Sequence, residues 1–383
     1  MATINWQHSV GQNRVKEVLA AALANNTIGH AYLFSGDAGC GKFAVALDLA
    51  LALLCENKEA SGRPCMTCAS CRKASHYAHP DFHVIMPLVL AKEQKDSSGD
   101  LNDDGWKHIS TSVLSRIEHP YTLPDHSKVP EIPVEWIRET NHTIMRGPLD
   151  GAYNVVIIDG VDLMRKESAN SMLKTLEEPR AGTVMLLLTN RFPGVLPTIV
   201  SRCQILRFSW LSPTEIRDGL VKQLPIDMTD PRQQGLLENV VHSGSLGRAL
   251  ELWNNPSEPG DEIAESAVFW DLCVSQNWPG LAALIDRLSE WNDFSRFENF
   301  FLETIARIRN TFLSELPGTE NVFSGDRSRI VAFTGARDLE QVEKFSGLCQ
   351  HSIAAVRAHA NSTLVLANFA IALTEALQHG EKQ

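Results

Sequence analysis

The chain has no excess of basic residues. Its 383 residues hold 35 lysines and arginines against 46 aspartates and glutamates, a formal net charge of −11. That balance excludes a protein that coats nucleic acid through bulk charge; any DNA contact is local or is delivered by partners. Long apolar runs are also missing. Each is broken by polar residues well before the length that spans a bilayer, which excludes a membrane-spanning helix. The opening MATINWQHSV has neither a basic start nor an apolar stretch, so no secretion signal is expected and a cytoplasmic protein is. There is no internal repeat and no low-complexity tract. What is present is a globular composition, 44% hydrophobic and 21% charged, in a chain long enough for two or three domains. Its eight cysteines are expected to be reduced in such a compartment, so clustered ones suggest metal rather than disulfides.

Residues 12–26 place Val15, Val18, Leu19, Ala22 and Leu23 on one helical face. Strands are expected at Ala31–Phe34, Phe82–Met86, Asn154–Asp159, Thr183–Thr189 and Gln204–Phe208, with helical patterns between them that include Val134–Met145 and Glu167–Glu177. Strands alternating with helices predict an α/β layer with a mainly parallel sheet over residues 1–210. Residues 87–130, with DSSGDLNDDG and four prolines, break the alternation and read as a mobile surface insertion. After Trp210 the pattern becomes helical. A small unit over 211–256 opens on the helix-start signal Ser212-Pro213-Thr214-Glu215. A linker is expected at Pro256–Gly260, and 257–383 reads as all-α, for example over Phe294–Leu316 and Ser352–Leu377.

Gly36-Asp37-Ala38-Gly39-Cys40-Gly41-Lys42 carries most of the pattern G-x-x-x-x-G-K-[ST], after a strand and before a helix. Gly36, Gly39 and Gly41 let the backbone N–H groups face phosphate oxygens, and Lys42 would reach the terminal phosphates. The hydroxyl that should follow is missing. Phe43 stands there, and a phenyl ring cannot ligate Mg²⁺. The alternative is a glycine turn that binds nothing. Asn154 to Asp159 has the shape of a Walker B strand, with Asp159 as the acid that helps hold Mg²⁺. A hydrolysing site of this class has a glutamate next, to polarise water, but Gly160 has no side chain. Asp162 reads as the N-cap of the following helix. Two losses in the same chemistry point to lost hydrolysis, while the surviving cradle leaves ATP/Mg²⁺ binding open.

Thr198 to Cys203 lies just before the last strand. An arginine there, Arg202 of Ser201-Arg202-Cys203, can act on a neighbouring subunit's γ-phosphate; the alternative is a surface ion pair. Cys55, Cys65, Cys68 and Cys71 give C-x9-C-x2-C-x2-C, a spacing that suits a closed, structural Zn²⁺ site, with Arg63, Arg72 and Lys73 near enough to offset its charge. Cys40, Cys203, Cys273 and Cys349 are expected as small core residues.

Together these residues resemble the delta-prime subunits of bacterial DNA polymerase III clamp loaders, an AAA+ family. The resemblance runs from Val10-Gly11-Gln12 through Gly29 to Gly36, the cysteine cluster, His79-Pro80-Asp81-Phe82, Ile132-Pro133-Val134, Ile137-Arg138, Asn170–Pro179 and Thr198–Cys203. It thins beyond residue 210. Gly244 to Leu250 resembles the sensor-2 segment, where Arg248 would face a nucleotide, against a capping turn with a surface arginine. Thr189 stands at the sensor-1 position, against a strand-end threonine making a local bond. Asn361, Leu364, Leu366 and Phe369 resemble the last helix of the collar. The resemblance implies an AAA+ domain with a zinc module near 55–71, a helical lid and a helical collar. It implies a non-hydrolysing stator in a hetero-pentameric ring, donating Arg202 to a neighbouring ATPase subunit while the complex loads the sliding clamp on primed DNA. The competing readings are an active motor subunit of the same loader, a P-loop nucleotide kinase and a purely structural zinc scaffold. The motor requires a hydroxyl at 43 and a glutamate at 160. The kinase also needs the hydroxyl. The scaffold would leave partner ATPase indifferent to Arg202.

Overall fold

The computed structural model describes residues 4–57, 62–96, 100–123, 130, 132–164, 166–254, 261–291, 296–297, 300–305, 308, 339–357 and 360–379. Helix α1 (Asn13–Ala24) buries Val15, Leu19 and Leu23, spaced four apart, against the sheet. Val18, expected on that face, is instead 45% exposed. Five strands follow in chain order: β1 (Ala31–Ser35), β2 (Phe82–Ile85), β3 (Asn154–Ile158), β4 (Thr183–Thr189) and β5 (Gln204–Arg207). They form one parallel sheet in the order β2-β3-β4-β1-β5. Strands β3 and β4 are buried along their whole length, as parallel strands covered by helices on both faces must be. This is the α/β class expected from the alternation.

Helix α2 (Lys42–Leu54) is buried at every position. A helix apolar all round belongs inside a protein, and α2 carries one acid, Asp48. Its carboxylate accepts from the His8 and Ser9 N–H groups and the Ser9 hydroxyl, and lies 2.6 Å from His8 Nδ1, so the buried charge is fully engaged. The short helix α3 (Ala69–Ser75) follows in the cysteine-rich stretch.

The expected surface insertion is corrected. Within 87–130 lies a 16-residue helix, α4 (Asp103–Glu118), N-capped by Asn102, with Ile109, Val113 and Ile117 buried in the main core. Tyr121, just beyond it, is 2% exposed. The polar run before the helix dominates the composition there and hides an apolar stripe of period four. Helices α5 (Val134–Ile144) and α6 (Lys166–Glu177) stand where the periodicity placed them, and the short α7 (Pro197–Val200) precedes β5.

Helix α8 (Pro213–Gln223) opens on the expected capping box, in which the Ser212 hydroxyl accepts from Glu215 N and the Glu215 carboxylate from Ser212 N. With α9 (Pro231–Val240) and α10 (Leu246–Asn254) it encloses a small core that also takes in Ala44 of α2 and Tyr121. A further core, with Trp270, Phe300, Phe301, Phe345 and Phe369, joins α11 (Asp261–Val274), α12 (Trp278–Ser289), α13 (Leu339–Arg357) and α14 (Ser362–His379). The continuous helix expected over Ser352–Leu377 is interrupted: α13 stops at Arg357, and Asn361 restarts the chain by accepting from Leu364 N. The expected linker at Pro256–Gly260, and most of the helix expected over Phe294–Leu316, lie outside the described residues. Among the described residues no helix is long and apolar enough to cross a membrane.

Candidate functional site

Crevices beyond the carboxyl ends of a parallel sheet are where open α/β folds bind ligands. Here that edge brings together the loop after β1, Asp159 after β3 and Thr189 at the end of β4. The loop is tied to its neighbours, with Gly36 N donating to Thr189 O and Phe208 N to Ser35 O. Gly39 and Gly41 have positive φ, as the curled backbone requires.

Lys42, Cys40 and the loop's glycines pack inward, while Asp37 is exposed. Lys42 Nζ donates to Gly36 O at 2.7 Å and Asp37 O at 2.6 Å, and the residue is 5% exposed. The Asp37 carboxylate accepts from the Trp210 indole. A Cβ on Gly39 would stand 2.9 Å from Gly247 Cα, and one on Gly41 3.2 Å from the Tyr121 hydroxyl. Gly247 N also donates to Gly39 O at 3.1 Å, so the N-terminal turn of α10 sits directly on the loop. Gln12 clamps the same junction, donating to Cys40 O and Ser209 O and accepting from Ser209 N.

Asp159 faces a cation that the sequence did not reveal. Arg116 of α4 donates from Nε at 3.2 Å and from Nη2 at 2.8 Å to Asp159 Oδ2. Its guanidinium carbon lies 4.5 Å from the centroid of the Phe43 ring. Gly160 has φ +74°, and a Cβ there would meet Pro87 Cγ at 3.1 Å. The residues at the Mg²⁺ corner of a P-loop site are thus a phenyl ring, a carboxylate engaged by arginine and a glycine. They do not fit a nucleotide-bound Mg²⁺, which demands oxygen ligands in octahedral array.

Thr189 is 1% exposed and its hydroxyl donates to Asp162 Oδ1 at 2.7 Å while accepting from Arg191 N. It therefore makes local bonds. Asp162 belongs to a short 3-10 turn, Val161–Leu163, and α6 begins only at Lys166, so Asp162 is the partner of Thr189 rather than the expected helix cap. Arg248 is 7% exposed; its Nη1 donates to Glu251 at 2.7 Å, while its Nε and Nη2 have no hydrogen-bond partner among the described residues.

Arg202 lies apart from all of these. It is anchored at the protein surface, Nη2 to Glu177 Oε1 at 2.6 Å and Nη1 to Thr198 O at 2.8 Å and Ser201 Oγ at 3.3 Å. Cys203 beside it is half-buried, and burial pushes its thiol up to about 11.

The four clustered cysteines do converge. The sulfurs of Cys55, Cys65, Cys68 and Cys71 all lie within 4.8 Å of one another, with Cys65 and Cys71 4.0 Å apart. A tetrahedral four-thiolate site with metal–sulfur bonds of about 2.3 Å sets its sulfurs about 3.8 Å apart, so the donor set fits. Cys68 N donates to Cys65 Sγ and Cys71 N to Cys68 Sγ, each at 3.4 Å, the orientation that stabilises thiolates. Hydrogen bonding from the Thr67 hydroxyl draws the Cys65 thiol down to about 6, whereas burial pushes Cys71 up. Lys73, expected to offset the cluster's charge, is paired with Asp150 at 2.7 Å. Cys40, Cys273 and Cys349 are buried as expected.

Arg116 and Tyr121 were missed because nothing local marks them. Arg116 stands 43 residues from Asp159, and only the apolar stripe of α4 could have shown that this arginine belongs to a packed helix.

Comparison with known proteins matches residues 11–212 to the family described as DNA polymerase III, delta subunit. The DNA polymerase III subunit delta' of Bacillus subtilis (strain 168) is 30% identical over 267 residues, 69% of this chain and 64% of that protein. The subunit delta' of Pseudomonas aeruginosa is 30% identical over 174 residues, 45% of this chain and 41% of that one. The subunit tau of Salmonella typhimurium is 31% identical over 263 residues, 68% of this chain and 34% of that one. The chain therefore spans less than two thirds of the length of each of these relatives.

Proposed function

The chain belongs to the family of DNA polymerase III delta-prime subunits, and on that premise we propose that it is a non-hydrolysing stator of a clamp loader that lends Arg202 to a neighbouring ATPase subunit. Its partners in this reading are the other loader subunits of a hetero-pentameric ring and, through the complex, the sliding clamp and primed DNA. Residues 1–210 form the AAA+ domain, 211–256 the lid and 257–383 the collar through which the ring assembles. Structural Zn²⁺ held by Cys55, Cys65, Cys68 and Cys71 braces the first of these. A closed site of four thiolates leaves no open position for catalysis, so the metal's contribution is to the fold.

The observation that carries this reading is the placement of Arg202. Its side chain is 33% exposed and its ionic partner, Glu177, 47% exposed. Such a pair contributes about 0–1 kcal/mol. A neighbour's terminal phosphate, with more charge and a better match to the guanidinium fork, can displace Glu177. Until then Glu177 and the Thr198 carbonyl hold the guanidinium in place, so less side-chain freedom is lost on docking. None of its present partners belongs to the chain's own phosphate loop, which suits action in trans. The motor reading requires oxygen ligands at the metal corner, where this chain has Phe43 and an engaged Asp159.

The test is the clamp- and DNA-stimulated ATPase of a loader reconstituted with wild-type chain or with Arg202→Ala. A fall of about tenfold or more with the ring intact is expected, because an arginine finger can be worth about 10³–10⁵ in rate at the site it serves. Arg202→Lys keeps the charge but loses the fork, and should restore little. An unchanged rate in Arg202→Ala would leave the chain a structural ring member.

A further inference from the structure

The cleft between the phosphate loop and α10 is filled by this chain's own residues, and the filling is matched to the altered loop. A hydroxyl at position 43 and a carboxylate at 159 would together suit a hydrated metal ion. A phenyl ring and a carboxylate suit a guanidinium instead: the ring face attracts the planar cation, and the carboxylate accepts charge-assisted hydrogen bonds. Arg116 makes both contacts at once, 4.5 Å from the Phe43 centroid and 2.8 Å from Asp159 Oδ2, and its third arm, Nη1, donates to Thr122 O at 2.6 Å. The side chains of Arg116 and Asp159 are 15% and 19% exposed, so removing either leaves the other largely buried without its counter-charge.

Beyond α4 the chain continues across the loop. Tyr121 packs against Gly41, its hydroxyl accepts from Val10 N at 2.8 Å, and burial holds the phenol protonated. A Cβ on Gly247 would stand 2.5 Å from Tyr121 O and 2.7 Å from Gly39 Cα, so α10, the crossing segment and the loop meet at van der Waals distance. Three separate features, the cation at Asp159, the ring on Gly41 and the α10 glycine on Gly39, close one cleft.

We infer that residues 103–123 are a built-in plug, in which Arg116 serves as the permanent counter-ion of Asp159 in place of Mg²⁺ and the Tyr121 segment shuts the loop against Mg²⁺-nucleotides. The loop survives because it has become a packing surface: its glycines accept Tyr121 and Gly247, and Lys42 donates to the loop's own Gly36 and Asp37 carbonyls. This is independent of what Arg202 does in a ring, so it stands or falls on the isolated chain.

The experiment measures MgATP binding to the purified full-length chain by titration calorimetry, for wild type, Phe43→Thr and Phe43→Thr/Arg116→Ala, with thermal unfolding as the check on folding. Wild type and Phe43→Thr should show no binding at millimolar nucleotide. The double variant, with the hydroxyl restored and the resident cation gone, should gain Mg²⁺-dependent binding at least tenfold tighter than Phe43→Thr. Should the double variant not fold, Phe43→Thr/Arg116→Gln replaces it, keeping a polar side chain without the charge. Three results overturn the plug: wild type binds MgATP, Phe43→Thr binds as well as the double variant, or the folded double variant gains nothing even with Tyr121→Ala added to open the crossing segment.

Discussion

At the scale of single residues, the two positions that depart from the residues expected of a hydrolysing P-loop site differ in kind. Phe43 is a substitution within an intact helix and could be reversed. Gly160 is held by its backbone: with φ +74° and Pro87 at 3.1 Å from a would-be Cβ, the position has a conformation that an L side chain enters only under strain. A glutamate placed there would carry that strain and press on Pro87. Gly41 is more constrained still, at φ +100° with Tyr121 behind it. Gly41→Ala therefore combines backbone strain with a displaced buried ring, and is expected to destabilise the chain by about 1–3 kcal/mol. The midpoint of urea unfolding reads this out; a midpoint unchanged from wild type would mean that Tyr121 gives way without cost. The residue types of this site were readable in the sequence, since a hydroxyl is either present after the lysine or absent. Its occupant was not readable, because Arg116 comes from a helix whose only signature is Ile109, Val113 and Ile117.

Elements that could not stand alone show what the cysteines do. Helix α3 is seven residues long, too short to persist in water by itself. Cys68 caps it, its sulfur accepting from Cys71 N, and Ser70 Oγ ties it to Leu54 O at the end of α2. A metal bound by Cys55, Cys65, Cys68 and Cys71 would fasten the end of α2 to the N-terminal end of this helix. The purified chain is expected to carry close to one zinc by elemental analysis. Cys68→Ser should lose most of it and lower the thermal midpoint by several degrees, a loss of about 2–3 kcal/mol in the unit that holds α3. Full stability in a zinc-free variant would reduce the cluster to four thiols in proximity. Spacing made these four residues legible because their ligand pattern is local. The pairing of Lys73 with Asp150 across the fold was beyond reach, since long-range ion pairs leave no periodic trace.

Over the whole molecule, local pattern was a good guide to the sheet and a poor one to the C-terminal helices. Strands β3 and β4 are short apolar runs bounded by turns, so their limits were visible to within about two residues. The break between α13 and α14 was not, because apolar residues continue on both sides and one capping asparagine, Asn361, marks the restart. The packing also predicts how the chain comes apart. Ala44 and Tyr121 sit in the small core of α8 to α10 while their neighbours Phe43, Val45 and Ile117 sit in the sheet core, and Gln12 and Gly247 bond across the junction. The aromatic core of α11 to α14 is a separate cluster that the half-buried Trp210 flanks. Residues linked by a common core unfold together, whereas separate cores unfold in separate transitions. Calorimetry of the intact chain should therefore resolve two transitions. A zinc chelator should shift the one that belongs to the sheet and α8–α10 and leave the other in place, because the cysteine cluster touches only the first. A single transition that moved as a whole would mean that Trp210 and its surroundings couple the two cores strongly enough for a change at α3 to be felt in α11–α14. In the ring proposed above, strain from a docked neighbour could then pass along the chain between α11–α14 and Arg202.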